Sequence, residues 1–101
     1  YRIKDYEGAL QDCEKAISLM PNLMGAYYNK GIIYLELGKP DFAVKQMDTT
    51  LMLTDNFYFG YFYRGMAKKQ LKDMKGACED WQESVRLGFT MAEDTIRKYC
   101  R

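Results

Sequence analysis

Tyr6, Ala9, Leu10, Cys13, Ala16, Ile17 and Met20 recur at spacings of three and four, while Glu7, Gln11, Asp12, Glu14 and Lys15 fall on the opposite side. That pattern predicts an amphipathic helix, and Pro21 stops it. The same spacing predicts a second helix over 23–37, carried by Tyr27, Gly31, Tyr34 and Leu35, and a third over 41–53 on Phe42, Ala43, Met47 and Leu51. Between them Gly38 suits a left-handed helix end and Pro40 a first helical turn. Residues 54–56 read as a turn and cap before a fourth helix over 57–71, and a fifth follows over 74–87. Gly88 ends it. A sixth, over 90–100, opens on Thr90 with Glu93 three residues on, the pattern of a capping box.

The helices repeat. The stretch DYEGALQDCEKAISL returns as DMKGACEDWQESVRL, and Ala9, Ala43 and Ala77 are each 34 residues apart. Tyr27 and Tyr61, Gly31 and Gly65, and Leu37 and Leu71 keep the same interval. A fixed period of this size marks a solenoid, in which each unit packs only on its neighbours. Glycine inside a helix costs about 0.5–1 kcal/mol relative to alanine. Gly31 and Gly65, paired in phase with Ala43 and Ala77, therefore point to two backbones in close approach.

Composition removes several classes of function. Fifteen basic and fourteen acidic residues leave a net charge of +1, so no basic field exists for nucleic acid. The apolar runs are far too short for membrane insertion. With no histidine, and with Cys13, Cys78 and Cys100 lacking a C-x-x-C spacing, neither a zinc site nor a Ser-His or Cys-His pair can be built. No cofactor is expected, and no catalysis. Asp12 with Glu14, and Glu79 with Asp80, read as helix-face acids with no partner across a cleft, so a glycosidase-like carboxylate pair is not expected. Lys68, Lys69, Lys72 and Lys75 read as a solvated helix end, where cations suit the macrodipole. The cytoplasm is the first expectation for compartment, with a periplasmic or secreted location left open.

The phased positions resemble the tetratricopeptide repeat, whose 34-residue pattern runs W-x2-L-G-x2-Y, A-x3-F, P. Tyr27, Gly31, Tyr34, Ala43 and Met47 match in one copy; Tyr61, Gly65, Ala77 and Trp81 match in the next. Tyr6, Ala9, Cys13, Ala16 and Pro21 match the second half of an earlier copy. Lys30 and Arg64 stand where leucine is common, Lys68 replaces a tyrosine, and Asp55 and Phe89 replace proline. The resemblance implies an all-α, right-handed solenoid of antiparallel helix pairs with six helices in a single domain. Its parts would be a half-repeat over 1–22, full repeats over 23–56 and 57–89, and a capping helix over 90–101. Residues 1–4 would be the remnant of a preceding helix, leaving the stripe of Leu10, Cys13, Ile17 and Met20 partly bare.

The family's geometry lines a concave groove with the first helix of each pair. Here that places Tyr28, Asn29, Ile32, Leu35 and Glu36 in the groove, followed one repeat on by Phe62, Tyr63, Met66, Lys69 and Gln70, with Phe59 at the entry. The implied function is a scaffold that holds a protein or peptide segment on aromatic anchors, with Asn29, Glu36 and Lys69 fixing its register. A self-association module, a homodimer through the groove or the open N-terminal end, is the alternative. Chaperone-binding members of the family grip a terminal carboxylate with lysine, arginine and asparagine. Asn29 takes the asparagine's place, but the basic positions fall on Phe59 and Tyr63, so no carboxylate clamp is expected. Folding back about Gly88 brings Cys78 level with Cys100, leaving open either a disulfide or two buried thiols.

Overall fold

The computed structural model describes residues 5–100. Among them run six helices and no strand: α1 (Tyr6–Leu19), α2 (Met24–Glu36), α3 (Pro40–Leu53), α4 (Tyr58–Gln70), α5 (Met74–Arg86) and α6 (Ala92–Tyr99). The expected helix remnant at residues 1–4 lies outside the described residues. Each helix packs on the next in sequence. In addition α2 touches α4, whereas α3 makes no comparable contact with α5. The first helices of the pairs therefore lie on the inner side of a curved all-α solenoid, and the second helices on the outer side.

The turns show how the period is kept. After α2, Gly38 takes φ 72° and the Lys39 N–H donates to the Tyr34 carbonyl at 2.8 Å. After α4, Lys72 adopts φ 68° and the Asp73 N–H donates to the Lys68 carbonyl at 2.9 Å. After α5, Gly88 takes φ 117° and the Phe89 N–H donates to the Ser84 carbonyl at 3.0 Å. All three are the six-to-one bond of a Schellman end, which normally wants glycine at the left-handed residue. Lys72 occupies that position without it, so packing on either side of the turn overrides the local preference.

The capping expectations are met unevenly. Pro40 stands in the first turn of α3, and the Asp73 carboxylate accepts from the Gly76 N–H at 3.0 Å to cap α5. Thr90 does not form a capping box. Residues 88–91 are spent in consecutive turns, α6 starts at Ala92, and the Glu93 N–H goes to the Thr90 carbonyl at 3.0 Å. Residues 54–56 likewise turn the chain, with Asn56 left-handed at φ 61°, but no side chain caps α4.

The core repeats with the sequence. Ala43, Met47 and Thr50 of α3 and Ala77, Trp81 and Ser84 of α5 are all fully buried. A Cβ on Gly31 would sit 2.7 Å from Met47 Cε; one on Gly65 would sit 2.6 Å from Trp81 Nε1. These glycines are needed because a large side chain from the partner helix lies on their backbone. Trp81 also donates from Nε1 to the Phe62 carbonyl at 3.1 Å, and Ser84 Oγ donates to the Tyr58 carbonyl at 3.1 Å. Both bonds tie α5 to α4 through groups that burial would otherwise leave unsatisfied. Phe42 departs from the expected stripe: it stays 44% exposed and stacks on Tyr34 at 5.3 Å. On α1, Cys13 is buried, Leu10 and Ile17 are half-buried and Met20 is exposed.

At the far end α6 covers α5. Ala92 is buried, Tyr99 lies 5.9 Å from Trp81, and Cys78 and Cys100 are joined by a disulfide. Eight residues are too few for a helix to stand alone, so the bridge and the packing on Trp81 hold it.

Two outcomes follow for stability. Gly65→Ala should cost about 2–3 kcal/mol in urea unfolding, because the indole it meets is rigid, and Gly31→Ala distinctly less, because the Met47 methyl can turn aside. Equal costs would mean the indole is as free to move as the thioether. Reducing the Cys78–Cys100 bridge should cost roughly 3 kcal/mol in the chain-entropy model, with the α6 amides the first to gain hydrogen exchange.

Candidate functional site

The seam between the inner and outer helices carries charge. Arg64 on α4 donates from Nε and Nη2 to both carboxylate oxygens of Asp80 at 2.9 and 2.8 Å, and from Nη1 to Asp48 at 2.8 Å. Lys68 Nζ reaches the same Asp80 carboxylate at 3.1 Å. One repeat earlier, Lys30 Nζ lies 3.4 Å from Glu14. Asp80, read from sequence as a helix-face acid without a partner, is instead buried and paired, and Lys68 is not part of a solvated helix end. The reason is a sixteen-residue offset, which sets a residue of the first helix opposite its partner on the second. Two carboxylates, led by Asp80 accepting its hydrogen bonds, hold the Arg64 guanidinium above its ordinary pKa. A bidentate, charge-assisted pair of this kind satisfies a buried carboxylate that would be very costly alone. The signal was present as a base where the repeat favours leucine, with acids sixteen residues to each side.

Above this layer the structure gathers rings. Tyr28 meets Phe57 at 5.1 Å and Tyr63 at 6.1 Å. Phe59 lies 4.7 Å from Tyr58 and 5.1 Å from Phe89, and Phe62 lies 5.2 Å from both Tyr63 and Phe89. Tyr58 and Phe89 stack at 5.3 Å with planes 5° apart. The expected anchors Tyr28, Phe59, Phe62 and Tyr63 thus belong to one contiguous cluster, each ring half-buried. Phe57, Tyr58 and Phe89 complete it, and none of the three is among the groove residues expected from the sequence. Burial, with a smaller contribution from Tyr63, pushes the Tyr28 hydroxyl up to about 12.

The other expected residues divide. Phe62 and Met66 form one wall of an open cavity of about 280 Å³ whose other side is Asp94, Thr95, Lys98 and Tyr99 of α6. Lys69 is engaged within the chain, its Nζ 4.5 Å over the Tyr99 ring. Glu36 is exposed and takes a hydrogen bond from Tyr6 at the opposite end of the domain. Ile32 and Leu35 are half-buried and Gln70 is exposed. Asn29 does not join Phe62 and Met66; it lines a separate opening with Asp12, Cys13 and Leu23. Among the described residues no group of acids and cysteines is placed to hold a metal ion, and no helix is long and apolar enough to cross a membrane.

Comparison with known proteins agrees with this architecture. Residues 25–52 match the family model described as tetratricopeptide repeat. Hsc70-interacting protein 1 of Drosophila melanogaster is 29% identical over 94 residues, which is 93% of this chain and 25% of that protein. The TPR repeat-containing thioredoxin TDX of Arabidopsis thaliana is 26% identical over 93 residues, 92% of this chain and 24% of that one. This chain spans about a quarter of the length of the curated relatives it matches. Among solved structures, the first TPR of Spaghetti (RPAP3) bound to the HSP90 peptide SRMEEVD superposes with a TM-score of 0.90 at 21% identity, covering 96% of this chain and 79% of that one. The Arabidopsis OM64 TPR domain gives 0.84 at 24% identity, covering 94% and 83%.

The Tyr28 hydroxyl carries a pH dependence whose sign is fixed. Its pKa rises from 10.0 in the unfolded chain to about 12 in the fold. Between those values the unfolded state gives up a proton that the native state keeps, so stability falls as pH rises. Tyr28→Phe should flatten that alkaline decline, measured by urea unfolding on both sides of the window. An unchanged slope would place the cause on other tyrosines.

Proposed function

We propose that this chain, a tetratricopeptide-repeat domain, is a binding module that holds a peptide or protein segment by its apolar side chains and performs no chemistry of its own. The observation that carries this reading is the open cavity between α4 and α6, with Phe62 and Met66 on one side and Asp94, Thr95, Lys98 and Tyr99 on the other, continuous through Phe62 with the aromatic cluster. A pocket with aromatic and thioether groups on its α4 side, and Asp94, Thr95 and Lys98 beside Tyr99 on its α6 side, suits a large apolar side chain flanked by polar groups. The surrounding rings are already packed on one another, so a segment docking there meets a surface whose ordering cost is small.

The relatives suggest chaperone-linked partners, since one is called Hsc70-interacting and a structural neighbour carries an HSP90 peptide. The ring-lined face argues for a different ligand chemistry here. Phe59 and Tyr63 occupy the positions where a carboxylate grip needs bases, and both are locked into the cluster. A ring cannot pair with a terminal carboxylate by charge. Apolar anchoring is therefore the favoured mode.

A displayed library of random peptides, selected on the folded chain, tests this directly. Selected peptides should carry a large apolar residue, and Met66→Ala should weaken them by about 1–3 kcal/mol while Glu79→Lys on the outer side leaves them unchanged. The peptide SRMEEVD serves as the contrasting probe and should show no saturable binding by calorimetry. Tight binding of SRMEEVD, or selected peptides indifferent to Met66→Ala, would overturn the apolar mode.

A further inference from the structure

The cavity beside Met66 has two walls of unequal support. Phe62 and Met66 project from α4, which packs on both α3 and α5. The facing wall, Asp94, Thr95, Lys98 and Tyr99, is carried by α6 alone. Ala92, in the first turn, is the buried residue of that eight-residue helix, and Glu93, Asp94, Arg97 and Lys98 give it a charged surface. Little apolar area holds it down, and a helix so short has no stability of its own. Its N-terminal end is anchored by Phe89, whose N–H donates to the Ser84 carbonyl at 3.0 Å and whose ring lies 5.3, 5.1 and 5.2 Å from Tyr58, Phe59 and Phe62. The C-terminal end is held by Cys100, bonded to Cys78 of α5, and by Tyr99, which lies 5.9 Å from Trp81 and beneath Lys69 Nζ at 4.5 Å. α6 is thus a flap hinged at Phe89 and latched beside Tyr99.

We propose that the Cys78–Cys100 bridge is a redox latch on this cavity: oxidised, it holds the α6 wall in place for a ligand, and reduced, it lets the wall lift and the ligand leave. The proposal rests on the reading that the cavity holds a ligand's apolar side chain. Neither bridge sulfur is sealed off, since Cys78 and Cys100 are both partly exposed, whereas Cys13 is buried on α1. A thiolate of a small dithiol attacks one sulfur and breaks the S–S bond, and the second thiol then displaces the protein from the mixed disulfide. Two electrons and two protons pass to the protein, leaving the Cys78 and Cys100 thiols and the dithiol closed as its own disulfide. With the latch gone, the contacts of Tyr99 and the narrow apolar side of α6 are what oppose lifting. The aromatic cluster stays, because Phe89 lies on the hinge and the other rings belong to α2 and to α4 with its N-cap Phe57. Reduction therefore takes the cavity apart without unfolding the solenoid, and affinity falls with the fraction of molecules in which α6 remains docked.

Trp81 is the single tryptophan of the chain, fully buried and next to Tyr99, so its emission reports on α6 without any ligand. A dithiol should shift that emission to the red and admit quenching by iodide, while the amides of α1 to α4 keep their protection from exchange. The same reduction should weaken peptides selected on the oxidised chain about tenfold in calorimetry, the loss expected when α6 stays docked in roughly one molecule in ten. Reoxidation with a small disulfide should restore them. Cys100→Ser should hold the weak-binding state with or without reductant, and Cys13→Ala should leave the response intact. Emission and affinity that ignore reduction, or a chain that loses protection throughout, would overturn the latch. Peptides that keep full affinity while the emission shifts would also overturn it, and Met66→Ala then separates the two premises. Peptides weakened by Met66→Ala do use the cavity, so the latch alone falls; peptides indifferent to it bring down the cavity reading as well.

Discussion

The close approach of two helices at a sixteen-residue offset is the contact on which the rest of this domain depends. It places Gly31 against Met47 and Gly65 against Trp81, and beside them it places Arg64 between Asp48 and Asp80. The first set lets the backbones come near enough for a large side chain to fill the seam. The second set then becomes compulsory, because a carboxylate drawn into that seam must be fully paired. Packing and charge are thus two consequences of one geometric constraint, repeated along the chain.

Curvature follows from the same contact. Since α2 meets α4 while α3 makes no comparable contact with α5, side chains one step off the seam on the first helices converge on the inner face. Rings converge best when they meet edge to face, and most pairs between Tyr28, Phe57, Phe59, Phe62 and Tyr63 do so. The inner face is consequently both inter-repeat packing and candidate binding surface. Substitution of its rings will read out in stability as well as in affinity, which is why Met66, at the lip of the cavity, separates the two more cleanly.

The disulfide links the two halves of this picture. By joining Cys78 to Cys100 it holds α6 over Trp81 and keeps Thr95 and Lys98 opposite Phe62 and Met66. A short charged helix is thereby made a fixed wall of the cavity on the inner face.

Periodicity was legible from residues alone, because helix spacing, the 34-residue interval and the proline and glycine stops are local properties of a chain that packs only on its neighbours. Gly38, Pro40, Gly31 and Gly65 each announced their role in this way. Other features needed three dimensions. Asp80 looks like any helix-face acid until the partner helix covers it; Lys72 looks like a cation at a helix end until the turn forces it left-handed; and Thr90 looks like a cap until the preceding turns consume it. Phe89, Tyr58 and Phe57 became part of the aromatic face only when α4 met the α5–α6 turn. Sequence determined the units and their phase, whereas tertiary packing decided which polar groups were buried and which rings met, because those depend on what lies across the seam.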